Sequence, residues 1–202
     1  MSLGKSKPCI DLIKQYNKVN KDCLLFYTNV NKFINLNEST ILDIGCGNGF
    51  YVYGLADKVK FITGLDPSHD MLESAKSYIE YFKKNNIEFL HGSIENNSID
   101  KKYNLILFSY SLHFTKNVYD SLLIAKQYLE NNGLIVIIEP TETYHSNKLN
   151  KNHKEFDKDY YELKQKYLEI SRKEVINFYK LHKLLYLEHN KSYFMCIIMI
   201  IN

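Results

Sequence analysis

Three glycines at alternate positions follow an apolar run that contains an acid, in the segment Thr40-Ile41-Leu42-Asp43-Ile44-Gly45-Cys46-Gly47-Asn48-Gly49. Glycine accepts positive φ angles and lets a ligand approach the main chain, so this spacing indicates a ligand-binding turn between a strand and a helix. A dinucleotide loop, G-x-G-x-x-G, would need a third glycine at Phe50, and a phosphate loop would end in Gly-Lys-Ser/Thr. The spacing therefore argues against a nicotinamide dehydrogenase and favours a ligand without phosphate.

A second acid, Asp66, ends the next strand pattern, Lys60-Phe61-Ile62-Thr63-Gly64-Leu65. It follows the glycines by about 20 residues, the length of one βαβ unit, so the two acids should lie at neighbouring strand ends. A carboxylate there can accept hydrogen bonds from both hydroxyls of a ribose. Ser68 follows and is predicted to cap a helix over residues 68–82, because its hydroxyl can accept from an amide of the first turn.

These residues resemble motifs I and II of the class I S-adenosylmethionine-dependent methyltransferases. The resemblance implies S-adenosylmethionine as cofactor and S-adenosylhomocysteine as product, with Asp66 at the ribose and Met71 and Ile94 at the adenine. Met71 could equally be a core methionine of an amphipathic helix. Ser93 stands where the family often has an acid for the adenine amino group, with Glu95 as an alternative. The cofactor-binding residues implied are Asp43, Gly45, Cys46, Gly47, Gly49, Asp66, Pro67, Met71, Ser93, Ile94 and Ser109.

The segment Ser109-Tyr110-Ser111-Leu112-His113 resembles motif IV of the small-molecule branch of this family. It differs from the Asn/Asp-Pro-Pro-Tyr/Phe quartet of enzymes that methylate amino groups. It also differs from metal-dependent catechol-type enzymes, which have an acid at this strand end. The seven histidines show no H-x-x-x-H spacing, so we expect no metal.

Methyl transfer from a sulfonium is an in-line displacement, for which proximity does much of the work and a base helps when the acceptor must lose a proton. His113 is the candidate base, because it follows the fourth strand; a buried histidine without such a role remains open. Tyr110, His113, Tyr144 and His145 are candidates for the acceptor pocket. Glu139, at the end of the fifth strand, can also face it.

Strand and helix patterns alternate along the chain, which predicts an α/β fold: a Rossmann-like, doubly wound, seven-stranded sheet with helices on both faces. The sheet should be mostly parallel, with an antiparallel last strand, because the short link 190–192 fits a hairpin. The predicted strands are 40–45, 60–66, 87–91, 103–109, 134–139, 184–189 and 193–201. Further helices are predicted over 117–131, over 152–170, and from Ser171 onward.

The length of 202 residues predicts one methyltransferase domain over 1–202. A helical segment, 1–37, and a helical insertion, 144–170, either complete the helical layers or form a lid over the acceptor.

The charges are mixed along the chain, with a net charge of +3 and a single arginine, Arg172, so we expect no nucleic-acid partner. Four cysteines without Cys-x-x-Cys spacing favour a reducing cytoplasm, and the apolar run 194–201 is too short to span a membrane. The favoured function is methylation of a small molecule. The alternatives are an RNA or protein methyltransferase and a non-catalytic binder of S-adenosylmethionine.

Overall fold

The computed structural model of the protein describes residues 23–96, 99–140, 173–189 and 193–199. The strands in this part of the chain are β1 (Thr40–Ile44), β2 (Phe61–Asp66), β3 (Ile87–His91), β4 (Tyr103–Ser109), β5 (Leu129–Pro140), β6 (Lys183–His189) and β7 (Tyr193–Met199). The helices are α1 (residues 23–30), α2 (Phe50–Leu55), α3 (His69–Ser77), α4 (Ile79–Phe82), α5 (Val118–Gln127) and α6 (residues 173–179), with short 3-10 turns at Leu36–Glu38, Ala56–Lys58 and Leu112–Phe114.

The seven strands form one sheet in the order β3-β2-β1-β4-β5-β7-β6. The first five are parallel to one another, whereas β7 runs antiparallel to both β5 and β6. This confirms the predicted fold class and the antiparallel last strand, which lies beside β5. Because β1 to β5 are parallel, their carboxyl ends meet at one edge of the sheet, where ligands bind in open α/β folds.

Both faces of the central strands are buried, as expected for a sheet covered by helices on each side. Ile41 and Leu105 belong to a core cluster that also contains residues of α1 and α2. Leu42 and Ile106, the next residues along, belong to a second cluster with residues of α5 and α6. Successive side chains of β1 and β4 thus enter two different buried clusters, which explains why these strands are apolar at nearly every position.

The predicted helix over 117–131 ends early, at Gln127. Leu129 already pairs with Tyr103 of β4, so the chain has joined the sheet before Asn132 and Gly133, the pair predicted to end the helix. Asn132, with a φ of 61°, instead lies within β5, near a register shift that puts Leu134 opposite Leu105. Sheet pairing therefore overrides the helical pattern of residues 128–131.

The predicted helix over 68–82 divides into α3 and α4 at Tyr78, which caps both. Ser68 caps α3 as predicted, since its hydroxyl accepts a hydrogen bond from the Met71 amide at 3.3 Å. Met71 is 47% exposed, which excludes the core-methionine interpretation.

Helix α6 agrees with the helix predicted from Ser171 onward. The predictions for Tyr144, His145, the helix 152–170, the insertion 144–170, the link 190–192 and residues 1–22 lie outside the described residues. Among the described helices, no segment is long and apolar enough to cross a membrane.

Candidate functional site

A cavity of about 590 Å³ lies at the carboxyl ends of β1, β2, β3 and β4. Its walls come from four loops, each following one of these strands. The lining residues are Ile44, Gly45, Gly47, Asp66, Pro67, Met71, Gly92, Ser93, Ile94, Glu95, Asn96, Tyr110, Ser111, Phe114, Thr115 and Lys116. The volume is that of a pocket for one small molecule or cofactor.

The glycine loop is tied to β2 by hydrogen bonds from its own main chain. The Gly45 and Cys46 amides donate to the Leu65 carbonyl at 2.7 and 3.1 Å. The Gly47 amide donates to Oδ2 of Asp66 at 2.7 Å, and the Ser68 amide donates to Oδ1 of the same carboxylate at 2.8 Å. Asp66 thus joins the ends of β1 and β2 while it lines the cavity. This agrees with the prediction that the two strand ends that carry an acid are neighbours in the sheet.

Two of the glycines have different surroundings although both have positive φ angles, 71° at Gly45 and 55° at Gly47. A Cβ added to Gly45 would lie 2.5 Å from the Cβ of Ser111, so the loop after β4 packs directly on it. A Cβ added to Gly47 would meet no atom within 4 Å, and Gly47 lines the cavity. Gly45 therefore serves close packing, and Gly47 leaves bare main chain facing the ligand.

Asp43 lies beneath the cavity with no exposed surface. Its Oδ1 accepts a hydrogen bond from the Ser109 hydroxyl at 3.0 Å, whereas Oδ2 has no hydrogen-bond partner. Burial raises the pKa of Asp43 from 3.8 to about 7; the Ser109 hydrogen bond lowers it, and the nearby Asp66 charge raises it further. An unpartnered buried carboxylate oxygen is suited to a ligand that brings positive charge.

Cys46 is a predicted cofactor residue whose side chain packs in the core rather than on the cavity. Its sulfur would lie 2.7 Å from a Cβ placed on Gly64 of β2. Burial, together with the Asp43 and Asp66 carboxylates, raises the pKa of its thiol far above the ordinary value. Cys46 is therefore a neutral packing residue, whose thiol also donates a hydrogen bond to the Gly47 carbonyl of the loop at 3.7 Å.

The adenine end of the predicted site has no charged group at Ser93. Glu95 lines the cavity, but its Oε1 already accepts hydrogen bonds from the Lys116 amide at 3.1 Å and the Ser121 hydroxyl at 3.4 Å. Burial alone would raise the pKa of Glu95, yet hydrogen bonds from backbone amides, Ser93 and Ser121 hold it below its ordinary value. Glu95 therefore anchors the 93–96 loop to the start of α5 as an ionised carboxylate.

Tyr110 has a φ of 57°, a conformation that is strained for a residue with a large side chain. Its amide continues the β4–β5 ladder by donating to the Ile138 carbonyl at 2.7 Å, which holds the residue in this conformation. The Ser111 hydroxyl then donates to the Ile44 carbonyl of β1. The chain turns sharply here, so Tyr110 and Phe114 reach the cavity.

The turn Leu112–Phe114 carries a buried pair between His113 and Glu139. Nδ1 of His113 lies 2.5 Å from Oε2 of Glu139, and the His113 amide donates to Oε1 at 3.1 Å. Both side chains are 2% exposed, and Nε2 of His113 is buried without a partner. His113 does not line this cavity, although its neighbour Phe114 does.

The cavity brings together most of the predicted cofactor residues: Gly45, Gly47, Asp66, Pro67, Met71, Ser93 and Ile94, with Tyr110 of the predicted acceptor pocket. Asp43 and Ser109 lie below it as a hydrogen-bonded pair, and Gly49 lies at the start of α2. Sequence reasoning missed Ile44, Gly92, Asn96, Ser111, Phe114, Thr115 and Lys116. Their position in the sequence could have identified them, since each lies within a few residues of a predicted strand end.

The arrangement fits a nucleoside that carries a cation. Asp66 retains acceptor capacity for hydroxyl groups, because each of its oxygens accepts a single protein hydrogen bond. Met71 and Ile94 supply apolar surface for a base, and the free oxygen of Asp43 can offset positive charge. No phosphate-binding feature is needed for such a ligand.

A family described as a methyltransferase domain matches residues 35–187 of the chain. The ubiquinone biosynthesis O-methyltransferase of Rickettsia akari is 29% identical over 105 residues, which cover 51% of this chain and 41% of that protein. An uncharacterized RNA methyltransferase of Mycoplasma mobile is 34% identical over 83 residues, which cover 41% of this chain and 23% of that protein. The chain therefore spans less than half the length of these curated relatives.

Among solved structures, the plantazolicin methyltransferase in complex with S-adenosylhomocysteine is similar to this chain, with a TM-score of 0.68. The match covers 94% of this chain and 88% of that one, at 16% sequence identity. At this identity the likeness establishes the fold.

Proposed function

Because this chain belongs to the class I S-adenosylmethionine-dependent methyltransferases, whose cofactor is S-adenosylmethionine, we propose that it transfers a methyl group to a small-molecule acceptor. The observation that carries the proposal is the Asp66 carboxylate, which binds the Gly47 and Ser68 amides at the edge of the 590 Å³ cavity. A single side chain there shapes the glycine loop and offers acceptor atoms to a ribose.

The cofactor supplies an electrophilic methyl group on a sulfonium when it is bound. The protein's residues would hold it: Asp66 at the ribose hydroxyls, Met71 and Ile94 at the base, and the bare main chain of Gly47 at the methionine portion. Asp43, which accepts a hydrogen bond from Ser109, would offset positive charge from below. In-line displacement then depends on holding the acceptor close to the methyl group, where proximity can supply about 7–11 kcal/mol.

The proposed acceptor end contains Tyr110 and Phe114, which line the cavity, and the buried His113, whose ring centroid lies 4.0 Å from that of Phe114; Tyr144 and His145, outside the described residues, are proposed to join them. His113 is proposed as the group that takes the acceptor's proton. Phe114 is 66% exposed at the cavity, so it offers an apolar surface to the carbon frame of a small molecule.

A small acceptor is favoured over RNA by the charges around the cavity. Among the residues that line it, Lys116 is the one cation, and it stands with the carboxylates Asp66 and Glu95. A site for a nucleic-acid strand would be expected to carry clustered positive charge. The likeness to an O-methyltransferase of ubiquinone biosynthesis supports a small molecule as well.

The proposal is tested by calorimetric titration of the purified protein with S-adenosylmethionine and S-adenosylhomocysteine. Asp66→Ala should weaken both affinities about 100-fold, because it removes the carboxylate proposed to accept from the ribose hydroxyls and also the hydrogen bonds that hold the Gly47 and Ser68 amides in place. Asp57→Ala is the matched control, since Asp57 is an exposed aspartate that pairs with Lys84 away from the cavity. Absence of binding by the wild-type protein would overturn the proposal.

Turnover distinguishes an enzyme from a non-catalytic binder. Wild-type protein that binds the cofactor should convert S-adenosylmethionine to S-adenosylhomocysteine when the correct acceptor is in a screened set of small molecules. Conversion with a transfer RNA preparation but with no small molecule would instead support the RNA methyltransferase alternative.

A further inference from the structure

The rim of the cavity after β4, residues 112–116, is a turn whose main chain is held by hydrogen bonds. The amide and the hydroxyl of Thr115 both donate to the Leu112 carbonyl, at 3.1 and 2.8 Å. The Lys116 amide donates to Oε1 of Glu95 at 3.1 Å, which ties the rim to the loop after β3. The side chains of the rim are therefore presented to the cavity from a fixed main chain.

Two of these side chains, Phe114 and Lys116, line the cavity and are exposed. Phe114 is 66% exposed, and its ring centroid lies 4.0 Å from that of the buried His113, which supports the ring from one side. Because so little of the Phe114 ring is covered by the protein, most of its apolar surface is open to a ligand. The rim thus offers a ligand one apolar contact and one positive charge, two positions apart in the chain.

The charges that line the cavity differ in whether they already have partners. Asp66 accepts hydrogen bonds from two main-chain amides, and Oε1 of Glu95 accepts from the Lys116 amide and the Ser121 hydroxyl. Among the ion pairs of the described residues, by contrast, none involves the ammonium group of Lys116. The Lys116 charge therefore remains for a ligand of opposite sign.

We propose that the methyl acceptor is a small molecule with an anionic group, such as a carboxylate, on an apolar or aromatic frame, and that Lys116 binds this group while Phe114 contacts the frame. The inference rests on the proposed methyltransferase function and specifies its acceptor class. A lysine ammonium is a compact point charge that donates charge-assisted hydrogen bonds to a carboxylate. Lys116 is then a specificity-determining residue.

The cofactor has a carboxylate of its own, at its methionine portion, which is a second source of negative charge. That portion is proposed to lie at the bare main chain of Gly47, in the loop after β1. Lys116 is tied instead to Glu95, in the loop after β3, and β2 separates β1 from β3 in the sheet. Because the two positions belong to different sides of the cavity, we assign the anion to the acceptor.

The Lys116 charge also disfavours other classes of acceptor. A protonated amine in the place of the carboxylate would meet a like charge, and such repulsion is a common means of rejecting a ligand. An RNA strand carries a negative charge on every phosphate and is usually bound by clustered cations, whereas a single lysine suits a single anionic group.

The first test compares acids with their own primary amides, which have nearly the same shape without the charge. The probes are benzoate, phenylacetate, 4-hydroxybenzoate and cyclohexanecarboxylate, titrated by calorimetry into the full chain saturated with S-adenosylhomocysteine. At least one acid should bind about tenfold more tightly than its amide, and benzylamine should bind no more tightly than benzamide. If no acid binds more tightly than its amide, the proposed acceptor class is overturned.

The second test removes the charge and keeps much of the apolar side chain, in Lys116→Met. The ratio of acid to amide affinity should fall to within about twofold, while the affinities for the amide and for S-adenosylhomocysteine stay unchanged. Lys102→Met is the matched control, because Lys102 is an exposed lysine that does not line the cavity. Loss of S-adenosylhomocysteine affinity with the acid preference retained would assign Lys116 to the carboxylate of the cofactor and overturn the inference.

The third test concerns the frame. Phe114→Ala should weaken the binding of an acid and of its amide by the same factor, about five- to tenfold, because both lose the ring contact. The ratio of the two affinities should stay as in the wild type. If Phe114→Ala binds both probes as tightly as the wild type does, Phe114 does not contact the frame.

The outcomes separate this inference from the proposed function. Failure of the wild-type protein to bind S-adenosylhomocysteine removes the methyltransferase proposal, and the acceptor class falls with it. Binding of S-adenosylhomocysteine without any preference for acids removes this inference alone. Methylation of neutral or cationic acceptors only, at a rate that Lys116→Met leaves unchanged, does the same and leaves the methyltransferase proposal intact.

Discussion

The two ends of the site are built from different kinds of contact. At the end proposed to hold the cofactor (the cofactor end), which comprises residues 45–49, 66–71 and 92–96, main-chain amides and carbonyls make most of the hydrogen bonds, with Asp66 as their side-chain partner. At the end proposed for the acceptor (the acceptor end), which comprises residues 110–116 and Glu139, the order depends on a strained Tyr110 and on a side-chain pair. The first end thus depends on main-chain contacts and on Asp66, whereas the second depends on contacts between side chains.

The two ends of the site pack against each other at Gly45 and Ser111, and a substitution there is a severe test of the comparison. Gly45→Ala should destabilise the fold by about 3 kcal/mol, because the new methyl group would lie 2.5 Å from Ser111 at a φ of 71°. Chemical denaturation measures the loss, and binding of S-adenosylhomocysteine should fall with it.

Gly47→Ala is the control for Gly45→Ala. Its methyl group meets no atom within 4 Å, so the strain of a positive φ should cost about 1 kcal/mol of stability. Because Gly47 lines the cavity, we expect the added methyl group to take up space there and lower cofactor affinity nonetheless. If Gly45→Ala unfolds no more readily than Gly47→Ala, the two ends do not share a packed boundary there.

Asp43 provides a test through pH, because it lies below both ends. Its pKa is raised from 3.8 to about 7 in the folded protein, so the unfolded chain loses this proton first as the pH rises. The free energy of unfolding should therefore fall between about pH 4 and pH 7 and stay level above, with about 4 kcal/mol from this group.

Asp43→Asn should remove this pH dependence and stabilise the protein at pH 8 by about 2 kcal/mol. The stabilisation is less than the full contribution of Asp43, because the new amide group would be buried without a hydrogen-bond partner. It should also weaken binding of S-adenosylmethionine, which in the wild type should strengthen as the pH rises toward 7. Thermal unfolding at pH 5 and pH 8 measures the first effect. If Asp43→Asn is less stable than the wild type at pH 8, the inference that the buried Asp43 carboxylate destabilises the fold is contradicted.

An effect on stability alone, without loss of cofactor affinity, is expected at the opposite edge of the sheet. Oδ1 of Asn104 accepts hydrogen bonds from the amide and the hydroxyl of Thr40, where β1 and β4 begin. Asn104→Ala should cost about 1–2 kcal/mol in denaturation and leave cofactor affinity unchanged. A tenfold loss of affinity would mean that the cofactor end depends on the whole length of β1.

The sequence predicted well which residues of the glycine loop and of β2 meet at the cavity, because the signals are local. Alternate glycines after an apolar strand, and an acid one βαβ unit later, place Asp66 beside Gly47 once parallel pairing is assumed. The exposure of Met71 could not be predicted, since it follows from where α3 packs and from the break at Tyr78.

The acceptor end was predicted less completely, because it depends on register. His113 and Glu139 were each singled out, but their contact requires that β4 and β5 are neighbours with Ser109 opposite Ile138. The same pairing draws residues 129–131 into β5, which the helical periodicity of 117–131 does not reveal. Spacing along a chain carries no direct information about such alignment.

The hydrogen bonds that hold the glycine loop have a thermodynamic consequence. Leu65 and Asp66 bind three successive loop amides, from Gly45 to Gly47, so folding itself sets the shape of the loop. A ligand that enters need not order this segment, and association should resemble docking into a rigid surface rather than coupled folding. The heat-capacity change of binding should then report the apolar surface that the ligand covers, with little contribution from the chain.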